Sequence, residues 1–219
     1  MILKRKSVSR LFLILIPFLF SVSAVRAETE ALKSGVFDPP RLAPDFILQS
    51  SNGGEFKLNQ TRGKLVVLGF GFTHCTEVCP ITLANLAQAR KKLGALADDV
   101  QVVYVTVDPD NDSPARLHEY LNVFDPTFIG VTGTDAQLST VRQEYGIITA
   151  KATGKNGEAQ VHHSSYIYLI DRSGYLRALV PFGKSPDDIV HDIKILLGSP
   201  ANNNVNSSAN NPVDKKAIK

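Results

Sequence analysis

Apolar and polar stretches alternate along residues 42–198 in a way that predicts most of the elements. Asp45-Phe46-Ile47-Leu48-Gln49 and Glu55-Phe56-Lys57-Leu58 flank Ser51-Asn52-Gly53-Gly54, whose turn residues predict an N-terminal β-hairpin. Leu65 to Phe72 is almost wholly apolar, as a strand buried on both faces must be. Pro80 to Leu96 carries Leu83, Leu86, Ala87 and Leu93 at helical spacing, with Pro80 suited to a first turn. Val100 to Val107 predicts a second buried strand. Ser113-Pro114 caps a helix to about Val123, and Thr127 to Val131 reads as a short strand. Thr134 caps a helix over Asp135 to Tyr145. Beyond Ile147-Ile148-Thr149 and a polar Gly154–Gly157 turn, a return strand runs from Ser164 to Ile170. The tight turn Asp171–Gly174 leads into Tyr175 to Val180, and Ser185-Pro186 opens a last helix that ends at Leu197-Gly198. This order predicts one α/β domain, a central mixed sheet flanked by helices on both faces.

The ends read differently. Lys4, Arg5, Lys6 and Arg10 precede the apolar run Leu11 to Phe20, and Val25-Arg26-Ala27 closes a secretory-type signal over residues 1–27, with cleavage expected after Ala27. The alternative is an uncleaved anchor, although the run is shorter than the roughly 20 residues a spanning helix needs. Either way the domain is expected in an exported, periplasmic space. Residues 28–41 read as a leader without periodicity. Residues 199–219, rich in Asn, Ser, Ala and Pro, read as a disordered tail.

The start also carries much of the positive charge. Removing its five Lys and Arg from the 24 in the chain leaves 19 against 21 acidic residues, so a formal +3 becomes −2. No basic stripe survives maturation, which sets nucleic-acid binding aside.

The chemistry concentrates at Cys75 and Cys79, the chain's two cysteines, in the run Thr73-His74-Cys75-Thr76-Glu77-Val78-Cys79-Pro80. They stand where the first buried strand gives way to the first long helix, which is the thioredoxin arrangement. On a helix, positions four apart share a face, so both sulfurs can reach one atom. A helix N-terminus is also expected to lower their pKa toward the thiolate, which is both metal ligand and redox nucleophile. The short spacing argues against a purely structural disulfide, because chain-entropy stabilisation grows with loop length. Two thiolates favour Cu(I), Zn(II) or iron–sulfur over hard cations.

Three stretches carry a family resemblance. The cysteine run resembles the motif of the Sco/SenC family of copper-handling, thioredoxin-like proteins. Val105-Thr106-Val107-Asp108-Pro109-Asp110-Asn111-Asp112-Ser113-Pro114 is similar to that family's Asp-Pro-x-x-Asp-Ser/Thr-Pro stretch, and Val161-His162-His163-Ser164 with Tyr168–Asp171 and Gly174 is similar to its third motif. The resemblance spans roughly residues 43–197. It implies a Cys75–Cys79–His163 site for one copper per chain, as Cu(I) or Cu(II), and delivery of that copper to subunit II of cytochrome c oxidase. Another periplasmic copper chaperone or a thiol reductase would be a further partner. Relatives carry Asp before the ligand histidine where this chain has His162, which leaves two adjacent imidazoles. Asp108 is a candidate to orient His163 or to contact a partner, and equally a simple turn residue. His74 reads as a neighbour of the thiols, while His118 and His191 fall outside the motifs.

Rival readings remain. A thioredoxin-type reductase normally uses Cys-x-x-Cys, one residue shorter, yet the wider spacing still permits a Cys75–Cys79 disulfide and a role in preparing the oxidase cysteines. A peroxiredoxin-like peroxidase would fit Thr76 three residues before Cys79, but Phe72 stands where its proline belongs. A binding module for another periplasmic metal is the third.

Overall fold

The fold is given by a computed structural model that describes residues 31–153 and 159–198, excepting the side chains of 150–153 and 159–163. The signal-like start, the Gly154–Gly157 turn and the tail lie outside the described residues. The chain divides into Met1–Glu30 and Ala31–Lys219, and every element below belongs to the second unit. In order these are β1 (Gly35–Leu42), β2 (Ile47–Ser50), β3 (Glu55–Lys57), β4 (Leu65–Gly71), α1 (Val78–Leu93), β5 (Val100–Thr106), α2 (Pro114–Asn122), β6 (Ile129–Thr132), α3 (Asp135–Glu144), β7 (Thr149–Thr153), β8 (Ala159–His163), β9 (Ile167–Ile170), β10 (Tyr175–Val180) and α4 (Pro186–Gly198).

Eight strands form one sheet in the order β1-β10-β9-β4-β5-β6-β2-β3. The three central strands β4, β5 and β6 run parallel, and the pairs outside them are antiparallel, so the sheet is mixed. Parallel strands belong in the middle because they need cover on both faces, and each residue of β4 is buried. Leu65 and Val67 point into a layer with Leu83 and Leu86 of α1, Leu117 and Leu121 of α2, and Ile189 and Ile193 of α4. Val66, Leu68 and Phe70 point the other way, toward Leu138 and Val141 of α3 and the rings of Phe46, Tyr145 and Tyr168. The predicted thioredoxin-like α/β architecture is the one observed.

The helix starts follow their capping chemistry. Ser113 Oγ accepts from Arg116 N–H, Thr134 forms a reciprocal capping box with Gln137, and Ser185 Oγ accepts from Asp188 N–H. The hairpin β2–β3 turns through Gly53 and Gly54 at φ 89° and 70°, a region that glycine alone enters without cost. Among the described residues no helix is long and apolar enough to cross a membrane.

Two segments differ from expectation. Residues 35–42, mostly read as leader, form β1 against β10. Pro39 and Pro40 lack N–H donors, the register slips between Val36 and Arg41, and most of the strand is exposed, so no alternation marks it. Just upstream, the buried Asp192 carboxylate accepts the backbone N–H of Lys33 and of Ser34 at 2.7 and 3.0 Å, which ties this segment to α4. The second difference lies before β9. The return strand expected from Ser164 starts only at Ile167, and His162 and His163 lie on β8, which pairs with β7 in a separate two-stranded sheet. Ser164 N–H donates to Ile148 C=O at the base of that hairpin, and the main sheet resumes only at Ile167.

Candidate metal site

Parallel β4 and β5 end side by side, with Val107 N–H donating to Gly71 C=O, and the loops that follow them meet at the carboxyl edge of the sheet. In an open α/β sheet this edge is where sites form. Residues 72–77 bridge β4 to α1, and Asp108 to Ser113 bridge β5 to α2.

A buried carboxylate joins the two loops. Asp112 has no exposed surface. It accepts the Thr73 hydroxyl at 2.6 Å, the Thr73 N–H at 3.1 and 3.3 Å, and the Thr106 hydroxyl at 2.6 Å. Arg116 Nε–H donates to Thr73 Oγ1 at 3.3 Å. Position in front of α2 also suits an anion, since a helix N-terminus carries partial positive charge. Thr73 is thereby fixed two residues ahead of Cys75.

Cys75 is not on the helix. It lies in the loop, partly exposed, and α1 begins at Val78, so the pair does not share a helical face as the spacing suggested. The sulfurs meet by another route. Cys79 is the second residue of α1, and its backbone N–H donates to Cys75 Sγ at 3.4 Å. Glu77, at the N-cap, makes no side-chain cap bond, so the Cys75 sulfur stands in for the missing acceptor. Both cysteines are thiols in this structure.

Their environments are unequal. Cys79 is 3% exposed, in the layer with Leu83, Leu86 and Tyr104. Burial pushes its thiol up to about 12, outweighing a pull downward from the Tyr104 hydroxyl beside it. This corrects the expectation of a lowered pKa at Cys79: removal from water disfavours the anion more than the helix terminus favours it. A metal must therefore displace a proton held tightly there.

Comparisons with known proteins identify the family of the chain. The SCO1/SenC family profile matches residues 36–198. The chain belongs to the SCO1/SenC family. An SCO2-like protein of Rickettsia felis is 33% identical over 159 residues, 72% of this chain and 78% of that one. The structure of Bradyrhizobium japonicum ScoI with copper bound superposes with a TM-score of 0.65 at 31% identity, over 71% of this chain and 99% of that one. BsSco, described as a member of the Sco family of cytochrome c oxidase assembly proteins with a disulfide switch, superposes with a TM-score of 0.59 at 25% identity, over 74% of this chain and 97% of that one.

The other candidates fall around the thiols in different ways. The Asp108 carboxylate accepts from Asn111 Nδ2 at 2.9 Å, and its C=O accepts the N–H of Asn111 and Asp112, the contacts of a turn residue. His163 is the last residue of β8, opposite Thr149, with His162 opposite Ala150. Both side chains lie outside the described residues; of the three candidate ligands, the structure brings together Cys75 and Cys79. The chain returns to the site directly after β8: Ser165, Tyr166 and Ile167 line the same cleft as Val78 and Cys79. Among the described residues no three His, Cys, Asp or Glu side chains form a group able to hold a metal.

His74 is exposed, with Nδ1 3.4 Å from Thr73 Oγ1, and His118 is exposed on α2. His191 lies on α4 with its Nδ1 3.0 Å from the Asp192 carboxylate. Two site residues escaped the sequence reading. Asp112 was in plain view in the Asp-Pro-x-x-Asp-Ser-Pro stretch, while Tyr104 had no signal beyond a polar tip within an apolar strand.

Proposed function

We propose that this chain is a copper-binding assembly factor that holds one copper through Cys75, Cys79 and His163 and delivers it to the copper centre of cytochrome c oxidase subunit II. The observation that carries the reading is the contact between the Cys79 N–H and the Cys75 sulfur. It brings two soft donors together at the edge of a rigid parallel sheet, in a chain of the SCO1/SenC family. The donors fit copper by their chemistry, since thiolates select Cu(I) and an added imidazole suits either oxidation state. Copper in B. japonicum ScoI and the oxidase-assembly description of BsSco support the cargo and the target. The chain would act as an exported, periplasmic protein, soluble after cleavage at Ala27 or held by its N-terminus. Copper content and thiol count of protein purified with and without reductant test the reading. One copper per reduced chain, and none held by the disulfide form, is the expected result.

The asymmetry of the thiols favours a second reading, a thiol-disulfide reductase that prepares the oxidase cysteines. Cys75 is partly exposed and Cys79 buried, which suits an attacking and a resolving cysteine. A subunit II substrate reduced by the copper-free protein at a rate independent of His163 would favour it.

A further inference from the structure

Tyr104 reaches the thiol pair through a slot that glycine leaves open. It lies on β5 opposite Gly69 of β4, and a Cβ at Gly69 would touch its ring at 3.5 Å. Gly71, on the same face of β4, is the tighter position. A Cβ there would collide with the Tyr104 hydroxyl and come within 2.9 Å of Cys79 Sγ. Any larger residue at Gly71 would thus displace the phenol from the sulfur.

The phenol is costly where it sits. Tyr104 is 2% exposed, and its hydroxyl makes no hydrogen bond among the described residues. A buried hydroxyl without a partner lowers stability relative to the same ring without the oxygen. The group it faces is the Cys79 sulfur, since the one Cβ position at Gly71 would meet both the hydroxyl and Sγ. A thiol is a weak acceptor, whereas a sulfur that has given up its proton to a metal is a strong one.

Resting on the copper reading of the site, we propose that Tyr104 is a positioning residue for the metal-bound state: its hydroxyl donates a hydrogen bond to the Cys79 thiolate. Such bonds orient ligands and tune the metal they hold. Tyr104 would therefore strengthen retention of Cu(I) and draw electron density from the sulfur, while adding nothing to the copper-free fold.

The test compares the full-length protein with Tyr104→Phe and Tyr145→Phe. The Tyr145 hydroxyl already donates to Pro44 C=O at 2.8 Å and serves as the control. Each protein is reduced, stripped of metal and titrated with Cu(I) against a competing chelator. The sulfur-to-Cu(II) charge-transfer band and the thermal midpoint of the metal-free protein are recorded alongside. Tyr104→Phe should hold Cu(I) about tenfold more weakly, the worth of one hydrogen bond to a charged group. Its charge-transfer band should move to lower energy, and its metal-free midpoint should be unchanged or higher. Tyr145→Phe should leave copper retention and the band unchanged. Equal Cu(I) retention with an unmoved band in Tyr104→Phe overturns the proposal alone. So does failure of that variant to fold, which would make the hydroxyl a structural group. A wild-type protein that takes up no copper overturns the copper reading itself.

Discussion

Thr73 and Asp112, 39 residues apart, are joined by both the backbone N–H and the hydroxyl of Thr73, each donated to the one buried carboxylate. The pair staples the loop that carries Cys75 to the loop that opens α2. Cys75 has no helix of its own to hold it, so this contact, together with the Cys79 N–H bond to its sulfur, sets its position.

Asp112→Asn keeps the shape and removes the charge. The Thr73 and Thr106 hydroxyls would then compete for a weaker acceptor, and an amide N–H would face donors. A loss of about 2–3 kcal/mol is expected, since hydrogen bonds to charged groups are worth roughly 1.5–3 kcal/mol each and not all would be lost. Chemical denaturation of the metal-free protein measures it. Copper retention should fall as well, because Cys75 would be less well placed. An unchanged denaturation midpoint would mean that the staple contributes nothing.

The raised Cys79 pKa makes an alkaline prediction whose sign is fixed. Below pH 9.0 the thiol is protonated both folded and unfolded. Between 9.0 and about 12 the unfolded chain ionises while the folded one keeps its proton. The unfolded state then binds fewer protons, so stability falls as pH rises through that window. The slope from this group approaches about 1.4 kcal/mol per pH unit. Cys79→Ala should be less stable at neutral pH, through lost packing, but should lose less on going from pH 9 to pH 11. Parallel stability curves for the two proteins would refute the assignment.

Much of this was legible in sequence wherever local physics decides. The apolar run from Leu65 to Phe72 reads as a doubly buried strand and forms one as far as Gly71, and Ser113, Thr134 and Ser185 each cap the helix expected of them. What could not be read depends on tertiary contact. Cys75 leaves the helix because α1 starts at Val78, a boundary that the i, i+4 spacing does not encode. The raised pKa of Cys79 reflects its burial at the start of α1 against β5, which overrides the helix terminus. Tyr104 and Asp112 gain their roles only when β4 and β5 lie side by side.

Copper retention should depend on both thiols. With one thiolate pair in the chain, Cys75→Ser and Cys79→Ser should each abolish tight binding, because a lone thiolate cannot chelate. Cys75→Ser should cost little stability, being partly exposed, and Cys79→Ser somewhat more. Oxidation to the disulfide before loading should block uptake to the same extent. Dialysis against Cu(I) followed by metal analysis would show it, and full retention by either single variant would sink the site.

The third ligand divides copper delivery from thiol chemistry. His163 ends β8, and two residues later the chain lines the cleft beside Cys79, so a short path connects this strand to the thiols. If its imidazole completes the site, His163→Ala should weaken retention of Cu(II) more than that of Cu(I), because imidazole suits the harder state. Both thiols should remain oxidisable in that variant. In cells, assembly of the oxidase copper centre should fall nearly as far as in a cysteine variant, whereas His162→Ala should do much less. Normal oxidase assembly in His163→Ala cells, with failure in both cysteine variants, would leave the thiols without a copper partner on β8. Reduction of the oxidase cysteines would then be the work of Cys75 and Cys79.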